Sequence, residues 1–147
     1  MDSVAYLIAD NARMIRRSFD ARVRELGMTG PQARLLMMLW KGEGENQGFY
    51  ADRLEVEPIS LCRMLDRLEE AGLVERRRDP ADRRAWRLFL TDRSRELIDQ
   101  IRAKMVPLED MILSGIDPAA RLSLATMLDS VRDNLSAGRQ TGIAANG

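Results

Sequence analysis

Residues 58–91 read PISLCRMLDRLEEAGLVERRRDPADRRAWRLFLT, and the reading of this stretch decides the fold. Pro58 suits the first position of a helix, where a missing N–H costs nothing. Gly72 suits its end, because glycine readily takes the left-handed conformation that closes a helix. Between them Leu61, Leu65 and Leu68 share one stripe at helical spacing, while Ile59, Arg63, Asp66 and Glu70 fall opposite and Ser60 and Arg67 lie on the flank. Leu73 to Arg78 and Ala85 to Leu90 then read as strands, the second with Trp86, Leu88 and Leu90 on one face and Arg87 and Phe89 on the other. Asp79-Pro80-Ala81-Asp82-Arg83-Arg84 between them has turn chemistry and charge. The stretch predicts a short helix followed by a β-hairpin with a basic tip.

Upstream, Gln47 to Leu54 forms a second short helix with Asn46 as its cap, and Glu55-Val56-Glu57 is a tight connection to Pro58. Two short helices joined by such a turn predict a helix-turn-helix. Thr29-Gly30-Pro31 opens a helix running to Trp40, and Lys41 to Gly48 reads as a loop. The first helix spans Ser3 to Leu26 and stops at Gly27. Downstream, Thr91 is the expected N-cap of a helix from Asp92 to about Leu113, kinked at Pro107. Asp117-Pro118 opens the last helix, whose stripe of Leu122, Leu124, Leu128, Val131 and Leu135 ends near Ala137, before a frayed polar tail. Tyr6, Met14, Arg17, Met37, Trp40 and Met105 could line a small-molecule pocket, but methionine and aromatic residues at helical spacing read more readily as core. The first and last helices carry apolar stripes too broad for one small core to cover, so a dimer is expected.

Composition narrows the function. The chain has 147 residues, about one domain, with 45% apolar and 31% charged residues. It has no histidine, which removes His-ligated zinc and Ser-His-Asp chemistry, and one cysteine, Cys62, which cannot form an internal disulfide. No glycine-rich phosphate loop or nucleophile–base pair is present, so no enzyme, no metal and no cofactor are expected. No apolar run approaches a membrane span, and Met1-Asp2-Ser3 lacks a signal-peptide pattern, so a cytoplasmic location is expected. Net charge is zero, but its distribution is uneven. Arg76 to Arg87 holds six arginines and two acids, whereas Glu96 to Leu135 holds seven acids and four bases. A local basic patch can meet an anionic polymer whatever the net charge.

Ser60, Arg63 and Arg67 on the outer face of the 58–71 helix suit a DNA groove, since an arginine can make two hydrogen bonds to guanine O6 and N7. The bland alternative is a solvated surface on which these arginines pair with Asp66, Glu69 or Glu70. At the hairpin tip, Asp82 stands two residues before Arg84 and is expected to hold its guanidinium in one orientation. An arginine on a thin loop suits a narrow minor groove. Arg76, Arg77, Arg78 and Arg87 would then touch phosphates.

Asp82 to Thr91 fits the D-x-R-x5-L-T signature of MarR-type winged-helix regulators. Leu65 to Arg76 resembles that family's recognition-helix exit and first wing strand, and Pro31 to Leu36 resembles its second helix. The resemblance covers about residues 5–136. It implies a mostly α fold with a small β-hairpin wing: a winged helix-turn-helix lobe over about 30–91, dimerisation helices over about 3–26 and 92–136, and a flexible tail over 137–147. It also implies a homodimeric repressor of a pseudo-palindromic operator in double-stranded DNA, released by a small aromatic or other apolar effector. Ser60, Arg63 and Arg67 would lie on the recognition helix, Asp82 and Arg84 would be the wing pair, and Arg78 and Arg83 would contact phosphates. Glu45, Ser94 and Cys62 depart from the usual pattern. Cys62 reads as a small half-buried packing residue rather than an oxidant sensor. The alternative function is a winged-helix adaptor that binds an acidic protein and reads no DNA.

Overall fold

The computed structural model describes the backbone of residues 1–145 and the side chains of residues 1–139. The order of elements is α1 (Val4–Val23) with a 3₁₀ turn at Arg24–Leu26, α2 (Gly30–Lys41), α3 (Gln47–Leu54), α4 (Pro58–Glu70), β1 (Val74–Arg78), β2 (Trp86–Leu90), α5 (Ser94–Ile112) and α6 (Pro118–Ala145). Two compact units divide the chain, Met1–Glu109 and Asp110–Gly147.

Local chemistry sets the boundaries. Ser3 caps α1 by accepting the Tyr6 N–H, and Gly27 closes the following turn at φ +74°. Thr29 and Gln32 form a reciprocal capping box on α2, at 3.2 and 3.0 Å. Asn46 caps α3 by accepting the Phe49 N–H at 2.9 Å. The turn into α4 places Glu55 at φ 56°, the one positive φ outside glycine among the described residues. That strained conformation is held by the Glu55 and Val56 N–H groups, which donate back into the last turn of α3. Gly72, at φ +74°, ends α4, with its own N–H on Glu69 O and the Leu73 N–H on Leu68 O.

β1 and β2 pair antiparallel, with Val74 opposite Leu90, Arg76 opposite Leu88 and Arg78 opposite Trp86. The segment expected to be a loop adds to this hairpin. The Gly44 N–H donates to Leu88 O, the Leu88 N–H to Glu45 O, and Asn46 bridges to Arg87. Glu43 extends the contact by accepting the Leu90 N–H at 2.8 Å. These residues line the free edge of β2 and protect it.

The core of the first unit gathers Leu35, Leu36 and Leu39 of α2, Tyr50 of α3, and Leu61 and Leu65 of α4 with Leu88, Ile98 and Ile101, nearly all of them fully buried. Full burial of such a side chain contributes about 1.5–3 kcal/mol. Met37 and Met105 pack against this core, but Tyr6, Met14 and Trp40 are exposed instead of buried. In the second unit, Asp117 caps α6 by accepting the Ala120 N–H, and the Arg121 guanidinium donates to Leu113 O and Ile116 O.

Two boundaries differ from expectation. The Thr91 hydroxyl does not cap the next helix. It donates to Gly72 O at 2.5 Å and ties the end of the hairpin to the end of α4, so α5 starts at Ser94. α5 runs through Pro107 to Ile112, close to the expected end. α6 passes Ala137 and Gly138 and continues to Ala145, while the remainder of the expected tail, residues 146 and 147, lies outside the described residues.

Candidate nucleic-acid interface

The buried stripe of α4 is complete in Leu61, Leu65 and Leu68, so the opposite face is left to solvent. Ile59, Ser60, Arg63 and Arg67 are all exposed there. What decides the chemistry of this face is where its acids go. Arg76 of β1 reaches back across the turn and takes two of them, with Nη2 2.7 Å from Asp66 and Nε 3.2 Å from Glu69. Glu69 also accepts the Arg76 backbone N–H. The Arg76 side chain holds the Glu69 carboxyl below its usual range, and Glu69 in turn raises the already high pKa of Arg76. Among the described residues, no carboxylate pairs with Arg63 or Arg67. Arg76 was expected to touch phosphate; here it neutralises the acids of α4.

The rest of the arginine cluster sorts in the same way. Arg77 pairs with Glu75 at 3.0 Å and stacks on the Phe89 ring. Arg87, directly opposite Arg77 in the ladder, pairs with Asp79 at 3.4 Å, so the two like charges each have a separate acid. Arg78 stacks on the Trp86 ring, 4.2 Å from its centre, and donates to Arg83 O at 2.5 Å. These three were also expected on phosphates; in the chain without DNA their guanidinium groups find partners within the hairpin while their side chains stay partly exposed.

That commitment stiffens the tip. Asp79 accepts the Ala81 N–H at 2.8 Å, and the Asp79 N–H donates to Ala85 O. The Ala81 N–H foremost, and then Arg87, hold the Asp79 carboxyl below its usual range. Asp82 acts on the backbone: its Oδ1 accepts the Arg84 N–H at 2.9 Å rather than gripping the guanidinium as expected. The result is a short turn of the kind aspartate forms readily. Arg83 and Arg84 are exposed on this braced loop, and among the described residues no carboxylate pairs with either.

The sequence-derived residues therefore fall into two exposed cationic groups, Ser60–Arg63–Arg67 on α4 and Arg83–Arg84 on the tip. Asp82 and Arg78 support the second group. Asp66 and the Trp86 platform were missed as contributors. Trp86 alternates correctly to face Arg78 across the ladder, but the Asp66–Arg76 pair spans a turn that gives no local signal.

Cys62 is half-buried, with its Sγ 3.4 Å from Gln47 Nε2. A cleft of about 530 Å³ opens between the end of α2 and the start of α5, walled by Trp40, Lys41, Glu43, Arg95 and Asp99. Among the described residues there is no cluster of acids and cysteine suited to a metal ion, and no helix is long and apolar enough to cross a membrane.

The sequence profile of the MarR family matches residues 28–86, the span from the start of α2 to the start of β2. Over that span the chain resembles the MarR family. A curated relative, the HTH-type transcriptional regulator TtmR of Methylorubrum extorquens (strain PA1), is 33% identical over 128 residues, which are 86% of this chain. The aligned part of the chain spans 64% of the length of that relative. A solved MarR structure superposes with a TM-score of 0.81 at 26% identity, over 95% of this chain and 97% of that one. A transcriptional repressor, CouR, bound to a 23-mer DNA duplex, superposes with a TM-score of 0.71 at 27% identity, over 88% of this chain and 92% of that one. The MarR likeness identifies the architecture as a winged helix-turn-helix, with α3 and α4 as its two helices and β1–β2 as its wing.

Proposed function

We propose that this MarR-like chain is a homodimeric transcriptional repressor that reads a pseudo-palindromic DNA site. The observation that carries the reading is the disposition of charge on α4. Arg76 occupies Asp66 and Glu69, and the remaining acid of the face, Glu70, pairs with neither arginine, which leaves Arg63 and Arg67 exposed with Ser60 and without an ion-pair partner among the described residues. α4 enters the major groove, where Arg63 and Arg67 recognise guanine edges and Ser60 a base or phosphate. The braced tip carries Arg84 into the flanking minor groove, and Arg83 meets phosphate. The relationship to a repressor solved on a DNA duplex supports the same placement.

Dimerisation rests on α1 and, separately, on α6. Tyr6, Leu7 and Met14 of α1 are 56%, 44% and 53% exposed, and Leu122, Met127 and Leu135 of α6 are 71%, 59% and 68% exposed. Apolar side chains so placed at both ends of a chain suit burial against a second copy. A monomer mass by light scattering at micromolar concentration would sink this part. Release from DNA by a small aromatic or other apolar effector belongs to the same reading.

The reading is tested on a duplex enriched from a random pool. Arg63→Ala should relax preference at one base pair in each half-site, and Arg84→Ala should weaken binding most where the flanking minor groove is narrow. Unchanged binding by both variants would favour the adaptor reading, in which the same arginines meet an acidic protein.

A further inference from the structure

Ile59 is 61% exposed, in the first turn of α4. The core does not use it, since Leu61, Leu65 and Leu68 already complete the buried stripe. On the helical wheel it lies about 40° from Arg63 and about 80° from Arg67, on the face assigned above to DNA. An isoleucine in that position cannot hydrogen-bond to a base or a phosphate. The one apolar feature of the major groove is the C5-methyl group of thymine, which B-DNA presents at the groove surface and which apolar side chains recognise by contact. We propose that Ile59 is a specificity-determining residue that selects thymine through its C5-methyl group. The inference rests on the DNA-reading proposal and adds to it a base identity that the arginines cannot supply.

Geometry fixes where the thymine lies. Ile59 and Arg63 are four residues apart, about 6 Å along the helix axis, against a base-pair rise of about 3.4 Å. The thymine therefore lies in the same half-site as the guanine bound by Arg63. Removal of one methyl from a closed apolar contact weakens binding by about fourfold per half-site, roughly fifteenfold when both half-sites are altered.

The test uses the duplex enriched from a random pool and a series in which each thymine in turn is replaced by deoxyuridine, which pairs identically and lacks only the methyl. The wild-type protein is expected to lose about fourfold at one position in each half-site. Ile59→Ala is expected to bind the thymine duplex about as weakly as wild type binds the uracil one, and to ignore the replacement. Indifference of the wild-type protein to every uracil would overturn the assignment of Ile59 while leaving DNA reading intact. The assignment is equally overturned if Ile59→Ala keeps the full uracil penalty, or if the uracil-sensitive thymine lies outside the half-site of the Arg63 guanine. A pool without any enriched duplex would overturn the DNA reading itself, and this inference with it. Ile59→Ala is at an exposed position, and an unchanged melting temperature establishes that its binding defect is not one of folding.

Discussion

Removing Arg76 should weaken DNA binding although Arg76 itself is not assigned to DNA. Its side chain is 20% exposed and lies 2.7 Å from Asp66 and 3.2 Å from Glu69, whose side chains are 65% and 42% exposed. Pairs this wet contribute at most about 1 kcal/mol together, so Arg76→Met should lower the melting temperature by only about 3–4 °C. The larger consequence is on α4. With Arg76 gone, Asp66 is free to pair with Arg63 one turn away. A helix-surface pair of that spacing is worth about 0.5 kcal/mol and would hold Arg63 in roughly two-thirds of molecules. Releasing it then costs about threefold per half-site and about tenfold for a dimer on two half-sites. Fluorescence anisotropy on the enriched duplex measures the loss, and a second substitution identifies its cause. Asp66→Asn added to Arg76→Met should restore affinity to within about twofold. A phosphate contact would behave otherwise. Affinity would stay low whatever stands at 66, and the slope of log K against log salt would fall by about 1.8, about 0.9 for each half-site. That outcome would refute the sorting of arginines on which the proposed function rests.

Tyr50→Phe should destabilise the first unit by about 1–3 kcal/mol in urea denaturation, because the fully buried ring loses the hydroxyl that donates to Gly42 O at 2.8 Å and accepts the Glu45 N–H; a loss under about 0.5 kcal/mol would show that water replaces the hydroxyl. Gly30→Ala would set a methyl group against the Asp20 carboxylate and displace it from its pair with Arg34, so a clear fall in melting temperature is expected, whereas an unchanged value would mean that Asp20 moves aside freely. Asp79 and Glu69 have folded-state pKa values below their unfolded ones, so their contribution is full above the ordinary carboxylate range and is lost as pH falls through the lowered values. Between about pH 5 and pH 2 the wild-type protein should therefore lose more stability than an Asp79→Asn/Glu69→Gln variant, and parallel curves would contradict this.

The sequence carried most of the fold because its punctuation is local. Thr29 with Gln32, Asn46 and Asp117 each satisfy backbone donors within three residues, and the leucine spacing of α4 sets its buried face. Thr91 went astray because a hydroxyl ahead of a helix has two partners on offer, and only the folded chain brings Gly72 O within reach. Residues 43–46 looked like a loop because they join β2 through backbone groups and one carboxylate, with no alternation of side chains to betray them. The site was legible in part. The arginine cluster and the outer face of α4 were plain, but their division of labour was not. Arg76 finds Asp66 ten residues away across a turn, and Arg78 finds Trp86 across the ladder. A run of like charges reads as one patch until tertiary partners subtract some of its members. The exposed Tyr6, Met14 and Trp40 show a related effect, since apolar periodicity marks a face that wants covering without saying whether the cover lies within the chain.

The central claim is that two copies of the chain read DNA through α4 and the wing tip. Selection of the purified protein against a random-duplex pool tests it most directly. The expected result is an inverted repeat with half-sites about one helical turn, roughly 10 base pairs, apart. Binding to it should fall steeply with salt and should weaken in Arg84→Ala. A pool that yields no enriched sequence, bound only weakly and without dependence on Arg84, would contradict the claim.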